Sequence, residues 1–293
     1  MFKRFSCVAL SVILFFGILP KQVVAADSSH KTLDGSAVLV ETSATEEVQK
    51  PEGPFLFVNN EIVENADLIY HNDIAYVSLR SACLALRSDV MLTWANKKAI
   101  VSAVDLHVTV DPKLNYIVAN ERYLYIPEGV LYEAGCIYVP ARTLAKIFDA
   151  KFIHDTKTQN IYLTSGSGAI LSGDEFYNTE DFYWLSHIIN AESGNQPLAG
   201  KIAVGNVILN RVSDPIFPDS VYGVVFQKNQ FTPTKNGTIN LTPNEESILA
   251  AKLCLDGAVL LPTALFFNHV KSNSWAAKYK SYVATIGSHS FYA

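Results

Sequence analysis

Hydrophobic and polar positions divide the 293-residue chain into stretches of different period. Cys7–Leu19 is a block of 13 mostly apolar residues, too short to span a bilayer comfortably. Lys3 and Arg4 precede it and Val24-Ala25-Ala26 follow it, so Met1–Ala26 reads as an export signal. Asp27–Gly53 is polar and without period, and reads as a flexible linker. From Pro54 onward, short β-prone runs such as Phe55–Val58, Ala75–Val77 and Ala99–Val101 alternate with turn residues.

These runs repeat with a period near 60 residues. Val58-Asn59-Asn60-Glu61 is echoed by Val118-Ala119-Asn120-Glu121, and Ile74–Arg80 by Cys136–Arg142. Each Arg opens a short helix pattern, Ser81–Leu86 and Thr143–Phe148, and a strand pair follows each helix. The pattern predicts two ββαββ-like halves over residues 54–164, each too small to bury a core alone. This arrangement resembles the copper amine oxidase N-terminal-like domain of secreted bacterial proteins, a non-catalytic module. The resemblance implies a wall or protein ligand of unspecified kind. It implies no copper, because His71, His107 and His154 lack ligand spacing.

Ser165-Gly166-Ser167-Gly168 and Ser172-Gly173 mark a second linker over 165–173. Beyond it, residues 174–293 carry helical periods. Asn178 caps a helix with Glu180 and Asp181 in its first turn, and Phe182, Leu185, Ile188 and Ile189 form its apolar stripe. The next helix, Pro197 to about Val212, is apolar nearly all round and should be central. Phe231–Leu241 reads as a hairpin, with Asn236-Gly237 supplying its turn. Thr242-Pro243-Asn244-Glu245 reads as a capping box, with Pro243 at the first helical position, opening a third helix that ends at Asp256. The fold class is therefore α+β: the paired-repeat module, then a mainly α domain with a β-hairpin.

Composition narrows the function. The formal net charge is −5, and loss of the signal, with Lys3, Arg4 and Lys21 and no acid, would leave −8. Nucleic acid is not an expected partner of such a surface. No later stretch is apolar enough for a membrane span after signal cleavage. Cys83, Cys136 and Cys254 are odd in number and scattered, which suits core positions rather than a disulfide framework. Cys254 lies mid-helix without the setting of a reactive thiol, which weakens a Cys peptidase. His187, His269 and His289 show no HExxH spacing, so neither a metal nor a cofactor is expected, and a zinc amidase loses ground.

One residue breaks the apolar stripe of the Asn178 helix. Glu192 stands three and four residues after Ile189 and Ile188, on the core-facing side, where Gly194-Asn195-Gln196-Pro197 ends the helix. Desolvation and the negative end of the helix dipole both raise a carboxyl pKa there, as a general acid requires. The competing reading is a buried ion pair, with Arg211 as the candidate partner.

The runs Asn190–Pro197, Gly200–Val204 and Val207–Val212 resemble the SleB-type cell-wall hydrolase family. Gly223–Phe226, Gln230-Phe231-Thr232, Ala264–Asn268 and Ile286–Phe291 continue the resemblance in order. It implies a lysozyme-like domain over 174–293 that cuts the glycan strands of peptidoglycan or spore cortex, and it places the family's catalytic glutamate at Glu192. Gln230, Phe231 and Thr232, and Asn268 and His269, are candidates for sugar contacts. No second acid has an evident catalytic role, whereas ordinary glycosidases use two. A lytic transglycosylase, which needs one, is therefore the expected activity. A muramidase-type hydrolase and a non-catalytic wall or spore-coat binding protein are the alternatives. The expected location is outside the cell, in the wall or spore envelope.

Overall fold

Local turn chemistry explains most of the first half. The structure, a computed structural model, describes residues 53–293. The export signal over 1–26 and all but the last residue of the 27–53 linker lie outside the described residues. Strands β1 (Leu56–Val58), β2 (Glu61–Ile62), β3 (Leu68–His71) and β4 (Ile74–Ser78) lead into helix α1 (Leu79–Leu86), followed by β5 (Met91–Ala95) and β6 (Lys98–Ser102). Strand β7 (His107–Val110) bridges to the second half: β8 (Tyr116–Ala119), β9 (Arg122–Tyr125), β10 (Leu131–Glu133), β11 (Cys136–Pro140), α2 (Ala141–Ile147), β12 (Lys151–His154) and β13 (Ile161–Thr164). Asn59-Asn60, Asn72-Asp73, Asn96-Lys97 and Asn120-Glu121 each join two antiparallel strands. All eight residues have positive φ, between 46° and 70°, the backbone that a two-residue hairpin turn demands.

Each half thus contributes four strands before its helix and two after it, two strands more than the expected ββαββ pattern, because the Asn59-Asn60 and Asn120-Glu121 turns fold an additional hairpin at the start of each half. The halves are interleaved. One sheet runs β12-β13-β1-β2, a second β10-β11-β4-β3, and a third β5-β6-β7-β8-β9, so every sheet draws strands from both. Val77 and Val139 pair at the centre, under Ala82 and Cys83 of α1 and Leu144 and Ile147 of α2. Neither half could close this core alone.

The 165–173 segment does not hang free. Ser165 N donates to Asn59 Oδ1 (3.0 Å), Ile170 N to Ile147 O (2.9 Å), and Asn120 Nδ2 to Ile170 O (2.9 Å). Ser172 then caps the short helix α3 (Gly173–Phe176). Helices α4 (Thr179–Ser193) and α5 (Leu198–Ser213) follow, then α6 (Val221–Val225), α7 (Pro233–Asn236), a 3₁₀ turn (Thr238–Asn240) and α8 (Glu245–Leu255). Strand β14 (Phe266–His269), helix α9 (Trp275–Tyr279), β15 (Tyr282–Ile286) and β16 (His289–Tyr292) finish the chain, in an antiparallel sheet of order β14-β16-β15.

Helix α5 packs on both α4 and α8, which also pack on each other, and its nearly all-round apolar surface suits that central place. The contact with α8 is close: a Cβ on Gly205 would stand 2.6 Å from the Cys254 sulfur, so only glycine fits. Asn206 and Asn210 of α5 bond to the 258–264 loop, through Ala258 O (2.7 Å) and Leu261 O (2.8 Å), and not to the Glu192 loop. The hairpin expected at Phe231–Leu241 is absent. Pro233 starts α7 instead, and of the Asn236-Gly237 pair only Gly237 takes positive φ (80°), closing that helix. The β-hairpin of this part is β15–β16.

Residues 54–293 form one compact unit with two hydrophobic cores. Tyr116, Tyr123 and Tyr125 of β8 and β9 pack against the second core, and a buried carboxylate ties the two parts together at that contact. Asp256, just after α8, has a fully buried side chain. Its Oδ1 accepts from Arg122 Nη2 (2.6 Å) and Nε (2.9 Å), and its Oδ2 from Tyr123 N (3.0 Å) and the Tyr177 hydroxyl. Lys146 Nζ donates to the Asp256 carbonyl (2.8 Å), at the negative end of α8. Arg122 is 5% exposed, with its guanidinium 3.2 Å from the centroid of the Phe176 ring. Burial, then the Asp256 contact, holds the Tyr177 hydroxyl above its ordinary range. Among the described residues no helix is long and apolar enough to cross a membrane.

Asp256→Asn keeps the shape but leaves Arg122 buried without its counter-charge. Its unfolding free energy should fall by about 3–5 kcal/mol. Urea unfolding of both proteins measures this, and a loss below about 1 kcal/mol would contradict the clamp.

Candidate active site

Helix α4 begins where Asn178 Oδ1 accepts from the backbone N–H groups of Glu180 and Asp181, both at 3.0 Å. Leu185, Ile188 and Ile189 bury its inner face. Glu192 continues that face into the last turn and emerges half-buried.

Three neighbours pin this end of α4. From α8, Asn244 N donates to Asn190 Oδ1 (3.1 Å) and Asn244 Nδ2 to Gly194 O (3.0 Å). From α5, Lys201, only 1% exposed, donates through Nζ to Gln196 O and to Glu246 Oε2 (2.7 Å). From the β15–β16 turn, Ser288 N donates to Gln196 Oε1 (2.8 Å). His187 Nδ1 meets Ile239 O at 2.7 Å, which ties the 3₁₀ turn to α4.

The Glu192 carboxyl makes no hydrogen bond or ion pair with the other described residues. Burial pushes its pKa up to about 7 from an ordinary 4.5. The carboxyl lines a groove of about 430 Å³, whose opposite wall is Thr232, Pro233, Asn236, Thr238 and Leu241. Glu192 is the one acid among the lining residues. The competing ion pair does not form: Arg211 Nε donates to Leu265 O (2.7 Å) and Nη1 to Gln230 Oε1 (3.1 Å). The Arg211 guanidinium lies 5.0–5.4 Å from the rings of Phe217, Phe231 and Phe266, and burial lowers its pKa to about 10.

The other candidates scatter. Thr232 faces Glu192 across the groove. Gln230 is engaged with Arg211. Phe231 cannot be a sugar platform: it is 5% exposed, packed in the core near Phe267. Asn268 Oδ1 accepts from the Ser274 hydroxyl, and Ser274 caps α9, so Asn268 positions that helix. His269 is exposed on β14 and does not line the groove. Asn190, Lys201 and Asn244 were not anticipated. Lys201 carried a signal, as the one cation in the first turns of a helix that is apolar nearly all round.

Residues 195–292 match the model of the Cell Wall Hydrolase family, and residues 57–163 that of the Copper amine oxidase N-terminal domain. The C-terminal part of the chain therefore carries a cell wall hydrolase domain. A spore cortex-lytic enzyme of Bacillus cereus is 34% identical over 116 residues, which are 39% of this chain and 45% of that protein. Those of Halalkalibacterium halodurans and Bacillus subtilis are 37% identical over 81 residues (28% of this chain, 24% of theirs) and 33% over 91 (31% and 30%). The chain therefore spans less than half the length of these curated relatives. The solved catalytic domain of the germination-specific lytic transglycosylase SleB from Bacillus anthracis is 32% identical, covering 40% of this chain and 97% of that one, with a TM-score of 0.38. The cell wall hydrolase match opens at Asn195, just past Glu192, so the case for Glu192 rests on its surroundings.

A raised carboxyl pKa has a stability consequence. Between pH 4.5 and 7 the folded chain holds a proton at Glu192 that the unfolded chain releases, so stability falls as pH rises through that window. Glu192→Gln removes the effect. The variant should gain stability relative to the wild type from pH 4.5 to above 7, as read from denaturation midpoints. Parallel curves would contradict the assignment.

Proposed function

We propose that this chain is an exported peptidoglycan-cleaving enzyme that cuts between N-acetylmuramic acid and N-acetylglucosamine, with Glu192 as its single acid and base. One observation carries this reading. A carboxyl group withdrawn from water, unpaired and titrating near neutrality, lines an open groove that holds no other acid. Two-carboxylate hydrolysis needs a second acid across the scissile bond, and the groove wall opposite Glu192 offers hydroxyl, amide and apolar groups instead.

A single carboxyl suffices for a lytic transglycosylase. Protonated Glu192 gives its proton to the glycosidic oxygen as the bond to the muramic acid C1 breaks. The carboxylate then takes the proton of that sugar's 6-hydroxyl, whose oxygen closes on C1. The products are a 1,6-anhydro muramyl end and a free N-acetylglucosamine end, and Glu192 is again protonated. No water is consumed. The fixed ends of α4, α5 and α8 keep the carboxyl in place during both transfers. The relatives are named spore cortex-lytic enzymes, which favours spore cortex as the polymer and the spore envelope as the location.

Purified peptidoglycan digested by the wild type should yield anhydro-muropeptides by mass spectrometry, and digestion by Glu192→Gln should fall at least a hundredfold. Reducing, non-anhydro ends alone would replace the transglycosylase with a muramidase-type hydrolase. Equal digestion by the variant would remove Glu192 from the chemistry, and no digestion by the wild type would favour a wall-binding protein.

A further inference from the structure

The protein carries net negative charge, yet residues 257–293 contain Lys271, Lys278 and Lys280 and no Asp or Glu. The same segment concentrates exposed aromatic surface. Trp275 is 58% exposed, Tyr279 70% and Tyr282 62%. Trp275 and Tyr279 lie one turn apart on α9, ring centroids 5.9 Å from each other. Lys278, exposed, falls on the same face. Lys280 Nζ lies 4.8 Å and 5.5 Å from the centroids of the Phe266 and Trp275 rings. Tyr282 opens β15 beside Tyr292.

Helix α9 packs on β14 through Phe266 and is pinned by the Ser274–Asn268 hydrogen bond. The outer side of its aromatic face is unpartnered. Large apolar side chains so exposed and grouped on one face mark contact surfaces. Pyranose rings present apolar C–H faces that suit the electron-rich face of an aromatic ring. Muramyl residues and their peptide stems add carboxylates, the counter-charge for the lysines.

We propose that Trp275, Tyr279 and Tyr282, with Lys271 and Lys278, form a second glycan-holding surface for a peptidoglycan strand, outside the Glu192 groove. The inference rests on the reading that peptidoglycan is the substrate. The placement fits a strand that reaches both. The β15–β16 turn abuts Gln196, four residues past Glu192, and Tyr282 stands at the other end of β15, about 14 Å away at 3.4 Å per residue. A local cationic, aromatic face lets an acidic protein hold an anionic polymer, which its overall charge would repel.

The test measures binding apart from cleavage. The full chain carrying Glu192→Gln is sedimented with purified insoluble peptidoglycan sacculi, alone and with Tyr279→Ala or Lys278→Glu added. Both added changes are at exposed positions, and a thermal melt checks the fold. Tyr279→Ala should weaken binding at least fivefold at all salt concentrations. Lys278→Glu should weaken it at least fivefold in low salt and much less in high salt. Binding to neutral chitin should be weaker and insensitive to Lys278→Glu. Unchanged sacculus binding by both variants would overturn the proposal. Wall cleavage persisting in the Glu192→Gln chain would instead count against the catalytic reading and leave the binding comparison intact.

Discussion

A carboxylate taken out of water must find partners or give up its charge. The chain applies that constraint twice, with opposite outcomes. Asp256 is fully enclosed and receives two guanidinium hydrogen bonds from Arg122, a backbone N–H from Tyr123 and the Tyr177 hydroxyl. Glu192 is half-buried and receives none, so its pKa moves to about 7. One carboxylate became a rivet between two cores, and the other a proton donor.

The two are mechanically related. Asp256 closes α8, and the opposite end of α8 holds the last turn of α4 through Asn244. The repeat module therefore grips one end of the helix whose other end fixes the Glu192 loop. Lys201 and Ser288 complete the hold from α5 and from the β15–β16 turn. A group that must donate and then recover a proton benefits from such rigid mounting.

Much of this was legible in sequence because it is local. The Asn-capped start of α4 and the apolar α5 both lie within a few residues of the features that cause them. Glu192 stood out for the same reason, as a carboxylate on an apolar stripe. At α8 the box expected from Thr242, with Pro243 as first helical residue, is displaced by two residues: Asn244 accepts from Ser247 N and caps the helix instead. The Asn236-Gly237 pair misled, because a hairpin turn needs two positive φ angles and a helix cap needs one. The preceding Pro233, pre-set for a helix start, tipped the balance. The Asp256 clamp could not be read, since Arg122 lies 134 residues away in the chain. Phe231 looked like a platform until long-range packing against Phe267 put it in the core.

Single-acid cleavage depends on the protonation state of one side chain, Glu192. Carboxyl-selective ¹³C NMR titration, with Glu192 assigned by comparison with Glu192→Gln, measures it directly. The desolvated, unpaired carboxyl should titrate with a midpoint near pH 7. A midpoint in the ordinary range near 4.5 would mean that Glu192 is ionised at neutral pH and has no proton to give.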